Sequence, residues 1–133
     1  KDALKFHKLA PKLMLSVSVR NEQDVLALKK SGIPLKQVMC FAGVGRYEAK
    51  EGGGYRLKVK RKLIQTLHRL KMYATVGTMR SIDRAGKKNV GVYKKILTDF
   101  GADILATDEP GAAYEAIKQV TPAKSTKAKY FKK

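Results

Sequence analysis

Six side chains with polar or charged tips stand just after short apolar runs in this sequence: Ser18, Thr78, Arg80, Asp83, Thr107 and Asp108. Arg20, Gly43 and Gly45 share that placement. In parallel α/β architectures, groups beyond the C-terminal ends of strands converge on one mouth. A guanidinium there, such as that of Arg80, can hold a phosphate through two parallel hydrogen bonds, and its alternative is an exposed loop arginine. Asp108 has two compatible uses, as the N-cap of the following helix or as a hydrogen-bond acceptor across the mouth. The histidines do not join this set. His7 falls on a helical stretch before an apolar run and His68 in the middle of another helix, so both read as surface or structural. Cys40 lies within an apolar run without a His or Asp partner, which predicts a buried, inert thiol. Gly52-Gly53-Gly54 is not followed by the Gly-Lys-Ser/Thr of a phosphate loop and reads as a flexible connection.

The elements that would position these residues repeat. Leu13–Val19 alternates, with Leu13, Leu15, Val17 and Val19 toward outer helices and Met14, Ser16 and Ser18 toward an interior. Asn21 can cap the next helix, with Asp24 three residues on. Val25, Leu26 and Leu28 form that helix's apolar face, and Gly32 with Pro34 stops it. Val38–Val44 is a continuous apolar strand of the parallel-sheet kind. A polar loop is expected over 45–54. A helix is expected over 55–71, with Val59, Leu63, Leu67 and Leu70 as its stripe. Met72–Thr78 is the third strand. A polar loop over 79–88 follows, then a helix through Val90, Tyr93, Leu97 and Phe100. Ile104–Ala106 is the fourth strand, after the helix stop Gly101, and Pro110 opens a helix with Ala113, Ile117 and Val120 inward. Four strand–helix units of about thirty residues predict a parallel sheet with outer helices, either doubly wound or half of a (β/α)8 barrel.

Composition sets outer bounds. The 133 residues are 44% hydrophobic, enough for one domain, and carry a formal net charge of +18, which points to an anionic partner or surface. One cysteine excludes an internal disulfide. No apolar run approaches the roughly 20 residues of a membrane-spanning helix. The start at Lys1 inside a helical pattern reads as a piece of something longer.

Four stretches carry a resemblance to a known family: Leu13–Asn21, Ser31–Pro34, Val76–Asp83 and, above all, Gly101-Ala-Asp-Ile-Leu-Ala-Thr-Asp-Glu-Pro110. In this order and spacing the chain resembles the C-terminal half of a glycerophosphodiester phosphodiesterase domain. The resemblance runs from about Ala3 to Val120 and departs at the third strand, which lacks the Trp and Asn often found there. It implies the second half of a (β/α)8 TIM-type barrel, four parallel strands with outer helices, over residues 1–122, with a basic, flexible tail over 123–133. The implied chemistry is hydrolysis of a glycerophosphodiester to glycerol 3-phosphate and an alcohol. A divalent metal, Mg or Ca, and a pair of histidines would come from the first half of the barrel, so this chain is expected to bind no metal alone and to be inactive alone. Arg80, Thr78, Asp83, Thr107, Asp108 and Ser18 would line the phosphate pocket. The implied partners are a first half or a second copy. A bacterial location, exported or periplasmic, is an expectation of the same reading. Nucleic acid is the other anionic partner to weigh, with Lys58–Lys62 and the tail lysines as the strongest clusters.

Overall fold

A parallel ladder organises the computed structural model, which describes residues 2–120. The expected tail over 123–133 lies outside the described residues. After helix α1 (Asp2–Leu9), strand β1 (Leu15–Ser18) leads into α2 (Glu22–Lys30). A single 3-10 turn (Leu35–Gln37) precedes the long strand β2 (Val38–Ala49), which folds back as β3 (Tyr55–Lys58). The chain continues through α3 (Arg61–Arg69), β4 (Tyr73–Thr78), α4 (Arg80–Lys88), α5 (Gly91–Thr98), β5 (Ile104–Ala106) and α6 (Pro110–Lys118). The sheet order is β1-β2-β4-β5, every neighbour parallel, with β3 attached antiparallel to β2. These are four parallel strands with outer helices, the half-barrel arrangement expected from the four repeating units.

Local chemistry explains the junctions. The Asn21 side chain accepts from the Asp24 amide at 3.0 Å, and Asp24 reaches back to the Arg20 amide at 2.8 Å, a reciprocal cap one residue displaced from the usual box. Gly32 and Gly101 both take positive φ, +82° and +78°, where a side chain would be strained. The first positions of the strands alternate as expected. Leu15 and Val17 are half-buried, Val19 is buried, and Ser16 and Ser18 are exposed. Leu13 departs from this and is largely exposed, as is Leu26 on α2.

Three expectations are corrected. The 45–54 segment is not a loop: β2 runs on to Ala49, and only the glycine-rich turn is irregular, with positive φ at Gly52, Gly53 and Gly54. The helix expected over 55–71 begins at Arg61, because Tyr55–Lys58 pairs with β2 as a hairpin arm. The 79–88 segment is helix α4, not a loop. Its inward face consists of Ile82, Asp83 and Gly86, so hydrophobic spacing could not reveal it.

The core lies between sheet and helices. Val38, Cys40, Ala74 and Val76 face Val25, Ile64, Leu67, Ile82, Val92 and Ile96, all buried. Cys40 is inside this layer, 3.9 Å from the Met72 sulfur, and burial pushes its thiol up to about 11. The other sheet face is levelled by register: Ser18, Phe41, Thr75 and Ile104 lie at one height. A closed barrel would fill this side with side chains. Here it is open, with Val44 51% and Ile104 38% exposed.

Candidate functional site

The C-terminal ends of β4 and β5 meet two helices at a single buried carboxylate. Asp83 sits one turn into α4 and is 4% exposed. Its Oδ1 accepts three hydroxyls: Thr78 at 2.5 Å from the last residue of β4, Thr107 at 2.6 Å from the turn after β5, and Tyr93 at 2.9 Å from α5. Two strands and two helices therefore share one acceptor atom. Asp83 Oδ2 is buried with no hydrogen-bond partner among the described residues.

The helices can approach this closely because Gly86 faces Tyr93. A Cβ at Gly86 would lie 2.2 Å from the Tyr93 ring, an impossible contact. Tyr93 is fully buried, and its hydroxyl needs the partner that Asp83 supplies. Its stripe position predicted burial but said nothing about this polar tip. A tyrosine at a core position, one helix away from an acidic residue, was the available signal.

Burial alone would push the Asp83 carboxyl up, yet the Thr107, Thr78 and Tyr93 hydroxyls, with the Asp108 amide, outweigh that and hold it below the usual carboxylate range. Asp83 is thus an anion neutralised by dipoles rather than by a cation. For Tyr93 the dominant effect is burial, and with the neighbouring carboxylate it lifts the phenol to about 12.

The structure divides the sequence-selected residues. Thr78, Asp83 and Thr107 come together directly. Arg80 opens α4 beside them, exposed and with no ion-pair partner among the described residues. Asp108 is exposed next to Thr107, but the expected cap is not made by its side chain. Glu109 occupies the N-cap of α6 without a side-chain cap bond, and the Thr107 hydroxyl accepts the Glu109 amide at 3.1 Å. Ser18 lies two strands away at the lower Phe41–Thr75 level, and no hydrogen bond joins it to the cluster. Arg20, at the mouth end of β1, is engaged by Asp24 at 3.1 Å, while Lys60 donates to the Arg20 carbonyl at 3.0 Å.

The histidines sit elsewhere. His68 Nε2 is 2.8 Å from Asp103 Oδ2, and the same oxygen accepts the Ala74 amide at 2.7 Å. Both lie at the N-terminal end of the sheet, the end opposite the mouth. His7 is on α1 with Nδ1 buried and unpartnered among the described residues. No group of three His, Cys, Asp or Glu among the described residues could hold a metal ion, and Asp83 Oδ1 is saturated by hydroxyls. The donor set of the described residues therefore does not by itself fit a divalent cation.

No family model and no curated protein matches the chain. Its structure is similar to the crystal structure of a glycerophosphoryl diester phosphodiesterase from Parabacteroides distasonis, with a TM-score of 0.72 and 25% sequence identity. The similarity covers 96% of this chain and 42% of that one, so the chain spans less than half of the neighbour's length and corresponds to part of such a domain. This agrees with the resemblance carried by Gly101–Pro110.

Proposed function

We propose that this half-barrel supplies one side of a glycerophosphodiester-hydrolysing site, yielding glycerol 3-phosphate and an alcohol once a complementary half closes the ring. The observation that carries the reading is the convergence of Thr78, Asp83 and Thr107 at the C-terminal ends of adjacent parallel strands, with Arg80 opening the helix that carries Asp83, where barrel enzymes place their chemistry. Arg80 takes the phosphate, since its guanidinium offers paired donors and is not engaged by any carboxylate among the described residues. Asp83 does not touch substrate. It fixes the hydroxyls of Thr78 and Thr107, each of which donates its only proton inward and so presents an oxygen that accepts hydrogen bonds. Asp108 stands at the rim beside Thr107, and Ser18 lies lower on the same open face.

A divalent cation, held by the other half, would neutralise the phosphate charge. General acid–base groups come from that half too, because His7 and His68 are both remote from the mouth. The closing element is a first half or a second copy, set against the open face that exposes Val44 and Ile104.

The test is choline release from glycerophosphocholine with added Mg2+ or Ca2+. The chain alone releases none above background. The chain completed by the first four β/α units of a related domain releases choline, and Arg80→Ala lowers that rate by about 100-fold, the order expected for a lost charge-stabilising contact. Turnover by the chain alone would overturn the assignment of the reactive groups to the other half.

A further inference from the structure

The β2–β3 hairpin is the feature that the phosphodiester reading does not use. Between Gly45 and Lys62 the chain carries seven Lys or Arg and two Glu, and from Gly52 to Ile82 there is no acidic residue at all. The register sorts these charges. Arg46 opposes Lys58 and Glu48 opposes Arg56, so all four side chains leave the same face of the two-stranded ribbon. Tyr47, Leu57, Ala49 and Tyr55 leave the other face. There Leu57 is buried, the two tyrosine rings stack at 5.1 Å, and the Lys95 ammonium lies 4.7 Å from the Tyr55 ring.

The outward face is therefore wholly polar. Arg46 and Arg56 are exposed and have no carboxylate partner among the described residues, while Lys58 is paired to Glu48 at 2.6 Å. Past the ribbon the run continues through Lys60, Arg61 and Lys62 into α3, whose first turn contains no acidic residue. Of these, Lys60 donates to the Arg20 carbonyl and Arg61 to the Asp99 carbonyl, so both also brace the fold, whereas all three cations stand at the helix start where they oppose its dipole.

We infer that the outward face of the β2–β3 hairpin is a nucleic-acid-binding ridge that grips the phosphate backbone without reading sequence. Arg46, Arg56 and Lys58 occupy neighbouring register positions on one ribbon face, a spread of cations that suits a chain of phosphates. Base stacking plays no part, because the aromatic rings are turned inward and packed on the body. A lipid surface is the poorer fit, since no apolar side chain stands on this face to enter a bilayer. The inference is independent of the hydrolase reading and needs no closed barrel.

The experiment is fluorescence anisotropy of the full chain with a labelled random-sequence DNA duplex, from about 50 to 200 mM salt. The wild type binds, with log Kd linear in log salt. The triple change Arg46→Gln, Arg56→Gln, Lys58→Gln lowers the salt slope by about 2–3, because each neutralised phosphate contact contributes roughly 0.9. A charge-matched control, Lys29→Gln, Lys36→Gln, Lys88→Gln, lowers it by less than about 1. All six side chains are exposed, and circular dichroism verifies that both variants are folded. Absence of wild-type binding at 50 mM salt overturns the inference. So does equal weakening by the two triple variants, which would assign binding to diffuse charge. Tighter binding to phosphatidylserine vesicles than to DNA would overturn it in favour of a membrane surface.

Discussion

Two buried or half-buried aspartates hold opposite ends of the same pair of strands, and they are held differently. At the mouth, Asp83 accepts three hydroxyls and makes no ion pair among the described residues. At the base, Asp103 is held by the His68 imidazole and the Ala74 amide, with more of its side chain in reach of water. The base arrangement is an ordinary surface clamp between β4 and the entry to β5. The mouth arrangement ties four elements to one oxygen and leaves the neighbouring Arg80 uncommitted. An ion pair between Asp83 and Arg80 would have been the simpler way to stabilise the fold. Hydroxyl donors instead keep the carboxylate anionic while leaving the guanidinium available for an outside anion.

This contrast is sharpest if the two carboxylates are removed. Asp83→Ala removes the acceptor of the buried Tyr93 hydroxyl and of the half-buried Thr78 and Thr107 hydroxyls and should cost about 3 kcal/mol in urea unfolding, whereas Asp103→Ala should cost about 1–2 kcal/mol. Equal losses would erase the distinction between mouth and base. The pH dependence follows from the direction of the shift. Asp83 sits below its unfolded value of about 3.9. Its contribution is therefore complete above about pH 4 and is lost as pH falls through the folded value. Asp83→Asn should flatten the acid limb of the stability curve over that range, and an unchanged limb would remove Asp83 from the account.

Gly86→Ala is the next largest change. Alanine normally favours a helix over glycine, but here the new methyl strikes Tyr93, so a net loss of about 2 kcal/mol is expected. A gain in thermal midpoint would mean that α4 and α5 separate at little cost. Tyr93→Phe removes one donor and should cost about 1 kcal/mol in the same assay. In the wild type the phenol titrates near 12 when folded and near 10 when unfolded, so it keeps its full benefit below pH 10 and loses it as pH rises toward 12. The phenylalanine variant should lack that alkaline decline. His68→Gln should change stability by less than about 1 kcal/mol, the range of a solvent-screened pair.

The sequence announced the repeating units because two of them end on a glycine stop, Gly32 and Gly101 at positive φ, and the runs at Leu15, Val38, Tyr73 and Ile104 are apolar or alternating. It concealed α4, whose inward face is a carboxylate, a glycine and one isoleucine. It also concealed the hairpin. Val59, Leu63 and Leu67 fit a helical period, and that pattern drew Tyr55–Lys58 into the same helix, although Tyr-Arg-Leu-Lys alternates with period two and pairs with β2. At the site, Thr78, Asp83 and Thr107 were legible from their positions after strands. Tyr93 was not, because burial of its ring and the work of its hydroxyl are separate facts, and periodicity reports only the first.

Gly43 has a reach beyond its own turn. With φ at +97° it marks the register shift between β2 and β4, after which β2 departs from the parallel sheet to build the basic ribbon. Lys60 lies against it, at 3.4 Å from where a Cβ would be, and donates to the Arg20 carbonyl. One missing side chain thus acts as a pivot bearing. It lets an ammonium strut brace the end of the first strand against the root of the hairpin, at the point where the strand turns from sheet to cationic ribbon.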